Sequence, residues 1–148
     1  MGLFDNIFGD KSANRGEITR QQAFAGILLA ASACDGHIAD EEIGSLFGTI
    51  TRMKMFENMN EKKWTNLMDS LIKMLRREGA PGVVELCAPA LPKDLRDTAF
   101  ANACDIVLAD GVVEPEERAF LEHLQKELEL DGDTALNIVE VMIVKNKG

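Results

Sequence analysis

Two stretches of the chain carry acidic residues in the same order and at the same spacing. The first reads ACDGHIADEE over residues 33–42, and the second reads LADGVVEPEE over residues 108–117. Carboxylates that are folded back across a tight turn repel one another, and a bound cation relieves that repulsion. The repeated acids are Asp35, Glu41, Glu42, Asp110, Glu116 and Glu117, and the motif glycines are Gly36 and Gly111.

Turn geometry is an alternative explanation for the same residues. Gly36 and Gly111 stand where a helix ends in a left-handed conformation, which glycine adopts without a Cβ penalty. Pro115 suits the first position of a helix, and the glutamates of each copy suit a first turn, where the helix dipole favours acids. Asp35 and Asp110 fit less well, because they end the preceding helices, although an Asx turn is compatible with that place. Ion binding and turn-and-cap structure both stay open.

The donor types limit which ion these turns would hold. Oxygen ligands favour a hard cation such as Ca²⁺, Mg²⁺ or Mn²⁺ over Zn²⁺, and His37 is the one nitrogen donor nearby in the sequence. An EF-hand is excluded, because its glycine occupies the sixth position of the loop, whereas glycine directly follows the first aspartate here. We expect a weakly held ion.

The hydrophobic pattern is helical along almost the whole chain. Segments 24–34 and 99–109 are apolar on nearly every side, which predicts central helices. Each runs into an Asp-Gly and is followed by a shorter helix, roughly residues 40–55 and 115–128. We therefore predict an all-α, single-domain bundle of about seven helices with an internal pseudo-two-fold duplication. Residues 1–16 would form a short amphipathic segment, and residues 17–148 the helical domain.

Two other helices have a clear apolar stripe. In residues 62–77 the stripe comprises Trp64, Leu67, Met68, Leu71, Ile72 and Leu75, and Gly79 with Pro81 is expected to end that helix. The last helix is expected to begin at Asp133 or Thr134 as its cap. Its predicted buried face comprises Ala135, Ile138, Val139, Met142 and Ile143.

The two acidic copies, each after an alanine-rich apolar helix, resemble the paired motifs of the TerB-like tellurite-resistance proteins. The resemblance covers about residues 17–145 and extends to the related helical domain of membrane-anchored DnaJ-like co-chaperones. It implies an all-helical fold, a stress response linked to tellurite, metal binding through the acids already named, and no enzymatic activity. It also implies work beside other resistance proteins near the membrane. The copies differ at Ala39 and Asp40, which correspond to Glu114 and Pro115, so the two turns need not bind equally.

Composition limits the partners. The chain has 148 residues, with 25 acidic against 16 basic residues and a net charge of −9, which repels nucleic acid and anionic lipid and favours cations or basic proteins. An acidic scaffold that docks a partner without any ion is therefore the alternative function. We expect other stress-response proteins as partners and no nucleic acid. A weak or indirect membrane association and a homo-oligomer stay open.

The cysteines indicate the compartment. Cys34, Cys87 and Cys104 form no Cys-x-x-Cys pair and are odd in number, which is typical of reduced thiols in the cytoplasm. We expect small buried apolar groups rather than reactive thiols, and a cytoplasmic protein with a peripheral position at the inner face of the membrane left open. The longest apolar run, residues 23–34, is far shorter than the roughly 20 residues of a membrane span.

An enzyme is the least favoured class. The chain has two histidines, His37 and His123, and it lacks a Glu-x-x-His pair, a glycine-rich phosphate loop and a nucleophile elbow. His123 lies in a charged stretch and is expected on a solvated face. The start of the chain, MGLFDNIFG, has an apolar face that would pack on the bundle or on a protein, since a membrane anchor this short would be weak.

Overall fold

The computed structural model describes residues 18–35, 40–109 and 111–147, and within them it does not describe the side chains of Asp40 and Glu42. These residues form six α-helices and no strand. The helices are α1 Arg20–Ser32, α2 Asp40–Thr51, α3 Glu61–Cys87, α4 Lys93–Val107, α5 Pro115–Glu127 and α6 Gly132–Lys145. Short 3₁₀ helices, Lys54–Phe56 and Ala88–Ala90, precede α3 and α4. The all-α prediction is confirmed, and the described residues form six helices, one of them kinked, against a predicted number of about seven for the chain. The predicted segment 1–16 lies outside the described residues.

α1 is the central helix of the bundle. It begins with a reciprocal cap, in which the Gln22 amide donates to the Thr19 hydroxyl at 3.1 Å and the Thr19 amide donates to Gln22 Oε1 at 3.0 Å. Every residue from 23 to 31 is buried, as expected of a helix that is covered on all sides by α3, α4 and α2. The central position predicted for this helix is confirmed.

α3 is long because it comprises two helical segments that meet at a kink. Asn60 caps it, its side chain accepting from the Lys63 amide at 2.8 Å. Gly79 has φ +74° and ψ 168°, which are not helical, and the helix resumes with Pro81 near its new start. The predicted end of the helix at these two residues therefore appears as the kink. Before the kink, Leu67 and Leu71 face the core with the rest of the predicted stripe.

The two central helices run parallel. Arg20 and Phe24, at the start of α1, border the same crevice as Asp94 and Leu95, at the start of α4. The ends of these helices likewise meet at a second cleft. Because both helices point the same way, Asp35, which follows the first helix, and Ala109, which follows the second, lie at one end of the bundle.

The halves of the chain correspond in order and packing. α2 and α3 both pack on α1, and α5 and α6 both pack on α4. The correspondence is only approximate, since α3 comprises two helical segments joined at the Gly79 kink, 27 residues in all, whereas α6 is a single helix of 14 residues. α3 also packs on α5, the short helix of the other half. The predicted duplication is therefore slightly off beyond the central helix pair.

Two details of the second half contradict the sequence prediction. The cap of α6 is Asp131, whose carboxylate accepts from the Thr134 amide at 3.2 Å, so the predicted cap at Asp133 or Thr134 is wrong. Ile143, predicted to be buried, is 48% exposed. Ala135 is buried as predicted. α6 therefore covers the core with a narrower stripe than its sequence suggested.

An aromatic pair links α2 to α3. The rings of Phe47 and Trp64 meet edge to face with centroids 4.7 Å apart, a geometry that the ring quadrupoles favour. The pair fixes α2, whose first turn carries Glu41, against the start of α3. Among the described residues, no helix has the length and apolar character needed to cross a membrane.

Candidate functional site

A cleft lies where the ends of α1 and α4 meet α2 and α5. Its volume is about 280 Å³. Asp35, from the first acidic copy, and Glu117, from the second, line it together. Leu46 and Val107 are among the apolar residues that also line it. The parallel packing of α1 and α4 thus brings one carboxylate of each copy to a shared concave surface.

The thiol of Cys34 reports the electrostatics of this cleft. Partial burial is the largest cause that raises its pKa to about 12, followed by the charges of Glu117 and Asp35 and, more weakly, of Glu116. Carboxylates from both copies therefore act on the same atom. The sequence prediction that Cys34 resists forming a thiolate agrees with this direction. Cys87 and Cys104 are buried, as predicted.

The second copy has the turn geometry expected from its sequence. Gly111 has φ +77°, a conformation in which any other residue would be strained. Pro115 takes the first position of α5, and Glu114 is the N-cap. Glu117 accepts a hydrogen bond from the Glu114 amide at 2.8 Å, which completes half of a capping box. Glu117 therefore caps a helix and lines the cleft at the same time.

The remaining motif residues are only partly described. Asp35 and Glu116 are exposed, and so is Glu41 in the first turn of α2. Outside the described residues lie Gly36, His37 and Asp110, and the Glu42 side chain is also not described.

Three hydroxyl groups that the sequence motifs do not include also line the cleft. Ser32 comes from α1, and Ser45 and Thr49 come from α2. The hydroxyl of Ser32 donates to the Leu28 carbonyl at 3.1 Å. Ser45 and Thr49 are four residues apart, so one face of α2 carries both, and this spacing is the signal by which they could have been found.

The described residues alone do not complete a metal site. Within 18–35, 40–109 and 111–147, no three His, Cys, Asp or Glu residues are grouped so that they could hold a metal ion. The donors present are oxygen atoms, which suit hard cations. A full ligand set would therefore have to include motif acids whose side chains are not described, Asp110 or Glu42.

No protein-family model, curated protein or solved structure matches the chain. The likeness to the TerB-like proteins consequently stands on the two motifs and their helical context.

The prediction that His123 lies on a solvated face is wrong. His123 is half-buried on α5, and its Nε2 is buried without a hydrogen-bond partner among the described residues. Glu85 on α3 is close to it, with Nε2 and Oε1 3.6 Å apart. The charged residues around His123 in the sequence do not indicate this contact, because the contact depends on the packing of α3 against α5.

Proposed function

We propose that this chain is a non-enzymatic stress-response protein of the TerB-like type, and that its acidic cleft binds a divalent cation. The observation that carries the proposal is the presence of Asp35 and Glu117, one from each motif copy, in one cleft. Turn and cap requirements explain each copy separately. They do not explain why the copies should share a concave surface.

The charge around the cleft supports the same proposal. Asp35, Glu116 and Glu117 all raise the pKa of the Cys34 thiol, so negative charge is concentrated at this end of the bundle. Of the ion pairs between described residues, none includes Glu116 or Glu117. A divalent cation would offset this repulsion.

The donors favour Ca²⁺, Mg²⁺ or Mn²⁺. Asp35 and Glu117 supply carboxylates, and the hydroxyls of Ser45 and Thr49 are neutral oxygen donors at the same cleft. Asp110 directly follows Ala109, which borders the cleft, and it is the acid we propose as a further ligand. Few charged ligands and an open cleft give weak binding, of the order of the roughly 10⁻⁴ to 10⁻³ M dissociation constants of low-affinity calcium modules.

The test is a titration of the metal-free, ¹⁵N-labelled protein with CaCl₂ or MgCl₂, observed through amide shifts. The amide of Gly111 and those of residues 32–35 should shift and saturate together, because both copies surround one ion. Asp35→Asn combined with Asp110→Asn should abolish saturation.

The matched control is Asp69→Asn combined with Asp97→Asn. Both aspartates are exposed, neither belongs to an acidic copy, and the change in net charge is the same. Equal titrations for the two double variants would refute the cation site. A tellurite growth assay of cells carrying each variant then tests the stress role separately.

A further inference from the structure

A second concave surface lies between α5 and α6, and its character is different. Its volume is about 530 Å³. The floor comprises the buried residues Phe100, Leu108 and Leu121. The walls include Val113, Leu136 and Ile143, which are 42%, 56% and 48% exposed. We call this surface the α5–α6 groove. Such a contiguous apolar surface on a small protein marks an interaction site more often than single exposed apolar side chains do.

The groove exists because α5 and α6 diverge. α6 packs on α4, whereas α5 and α6 make hardly any contact within the described residues, although only residues 128–131 connect them. The corresponding gap in the first half, between α2 and α3, is bridged by the Phe47–Trp64 ring pair. α6 has no aromatic residue in its sequence, so no ring of its own can close the groove.

The groove has the length and shape of a helix site. From Phe100 to Leu108, α4 rises by about 12 Å, and from Gly132 to Ile143, α6 rises by about 16 Å. This length seats two to three turns of an added helix, with apolar anchors at i, i+3 or i+4, and i+7.

The charge around the groove favours a basic partner. Residues 118–147, which follow the acidic cap of α5, contain six acidic and four basic side chains. Glu122 and Arg118 line the groove itself, and the exposed Asp131 and Asp133 lie at the start of α6. A surface of this composition attracts basic groups, whereas it repels anionic lipid and a second copy of a chain with net charge −9.

We propose that the α5–α6 groove docks an amphipathic helix of a partner protein, with an apolar stripe on the floor of the groove and lysine or arginine residues along its rim. The groove lies outside the acidic cleft. The proposal therefore stands whether or not the cleft binds a cation.

The probe is a fluorescein-labelled peptide of about fourteen residues, with leucines at i, i+3 and i+7 and lysines on its other faces. Its binding to the full chain is measured by fluorescence anisotropy. Saturable binding is expected, and it should weaken as the salt concentration is raised. A peptide with glutamates in place of the lysines should bind at least about tenfold more weakly.

Two double variants locate the site. Leu136→Gln with Ile143→Gln removes the apolar walls of the groove and should weaken binding by about tenfold or more. Val141→Gln with Val144→Gln removes two aliphatic side chains of the same helix that are 59% and 69% exposed and do not line the groove. This control should bind like the unmodified chain. Neither variant should unfold, because all four residues are exposed, and circular dichroism checks this.

Each other outcome overturns the proposal. Absence of saturable binding, or equal losses in both double variants, excludes a helix site in the groove. If the glutamate peptide binds as tightly as the lysine peptide, the partner is not basic. If the peptide binds more tightly after residues 1–17 are deleted, that segment of the chain is the occupant of the groove. If the chain sediments as a dimer, and Leu136→Gln with Ile143→Gln dissociates that dimer, the occupant of the groove is a second copy of the chain.

Discussion

Gly26→Ala tests the close approach of α1 and α3. A Cβ at position 26 would lie 2.7 Å from Cys87 Sγ and 3.3 Å from Leu71 Cδ2. Cys87 and Leu71 are both fully buried, so neither side chain can turn away into solvent. Either α1 moves away from α3, or Cys87 shifts within a closely packed interior.

The magnitude follows from two opposing terms. Overpacking of a core costs about 1 to 3 kcal/mol, and the short distance to a buried sulfur places this site in the upper part of that range. Replacing glycine with alanine inside a helix stabilises the folded state by about 1 kcal/mol. The net expectation is a loss of about 1 to 2 kcal/mol in the free energy of unfolding, with a fall in Tm of roughly 2 to 8 °C.

Urea denaturation followed by circular dichroism measures the change. The matched control is Gly44→Ala in α2, where an added Cβ meets nothing within 4 Å, so this variant should gain up to about 1 kcal/mol. In a Cys87→Ala background the main clash is removed, and Gly26→Ala should become neutral or stabilising. A coupling energy of at least about 1 kcal/mol between the two sites is expected. If Gly26→Ala stabilises the chain as much as Gly44→Ala does, the described contact between α1 and α3 is wrong.

Three further predictions concern the thiols and the loop before α6. Cys34 should alkylate slowly at neutral pH, and Glu117→Gln should accelerate it, because that substitution removes a charge that raises the pKa of Cys34 while keeping an oxygen for the cap. Peptide mapping by mass spectrometry measures the rate, and an equal acceleration by Glu122→Gln would contradict the reasoning. The pKa values of Cys87 and Cys104 are likewise raised to about 12 by burial. Since the folded state then holds these protons longer than the unfolded chain does, stability should be intact below about pH 9 and fall towards pH 12. Arg96→Ala should lower the free energy of unfolding by about 1.5 to 3 kcal/mol, because Arg96 donates to the Leu91 carbonyl at 3.3 Å and to the Leu128 carbonyl at 3.2 Å. Arg77→Ala, which removes only an exposed pair with Glu78, should change it by less than about 1 kcal/mol in the same urea measurement.

Helix positions were predictable because they depend on local periodicity and on a few turn residues. The stripe that contains Leu67 and Leu71 fixes one face of α3, and glycine at position 79 marks a backbone conformation that other residues avoid. The cap of α6 was not predictable in the same way. Asp131, Asp133 and Thr134 are all good caps within four residues, and intrinsic preference does not rank them.

Long-range packing accounts for the other differences. Ile143 belongs to an apolar stripe, but it is 48% exposed, because among the described residues α5 diverges from α6 and does not cover it. His123 looked solvated from its charged neighbours in sequence, and only the packing of α3 on α5 brings it close to Glu85. The cleft was partly foreseeable, since repeated motifs suggest equivalent positions. That Asp35 and Glu117 line one cavity depends on the parallel direction of α1 and α4.

The Phe47–Trp64 contact makes the protein its own optical sensor. Trp64 is the one tryptophan of the chain, and the chain has no tyrosine, so emission excited near 295 nm comes from a single, known place. Its edge-to-face neighbour Phe47 lies on α2, the helix that starts at the first acidic turn. Any rearrangement of that helix changes the surroundings of the indole, and an unlabelled sample in a fluorimeter is sufficient to follow it.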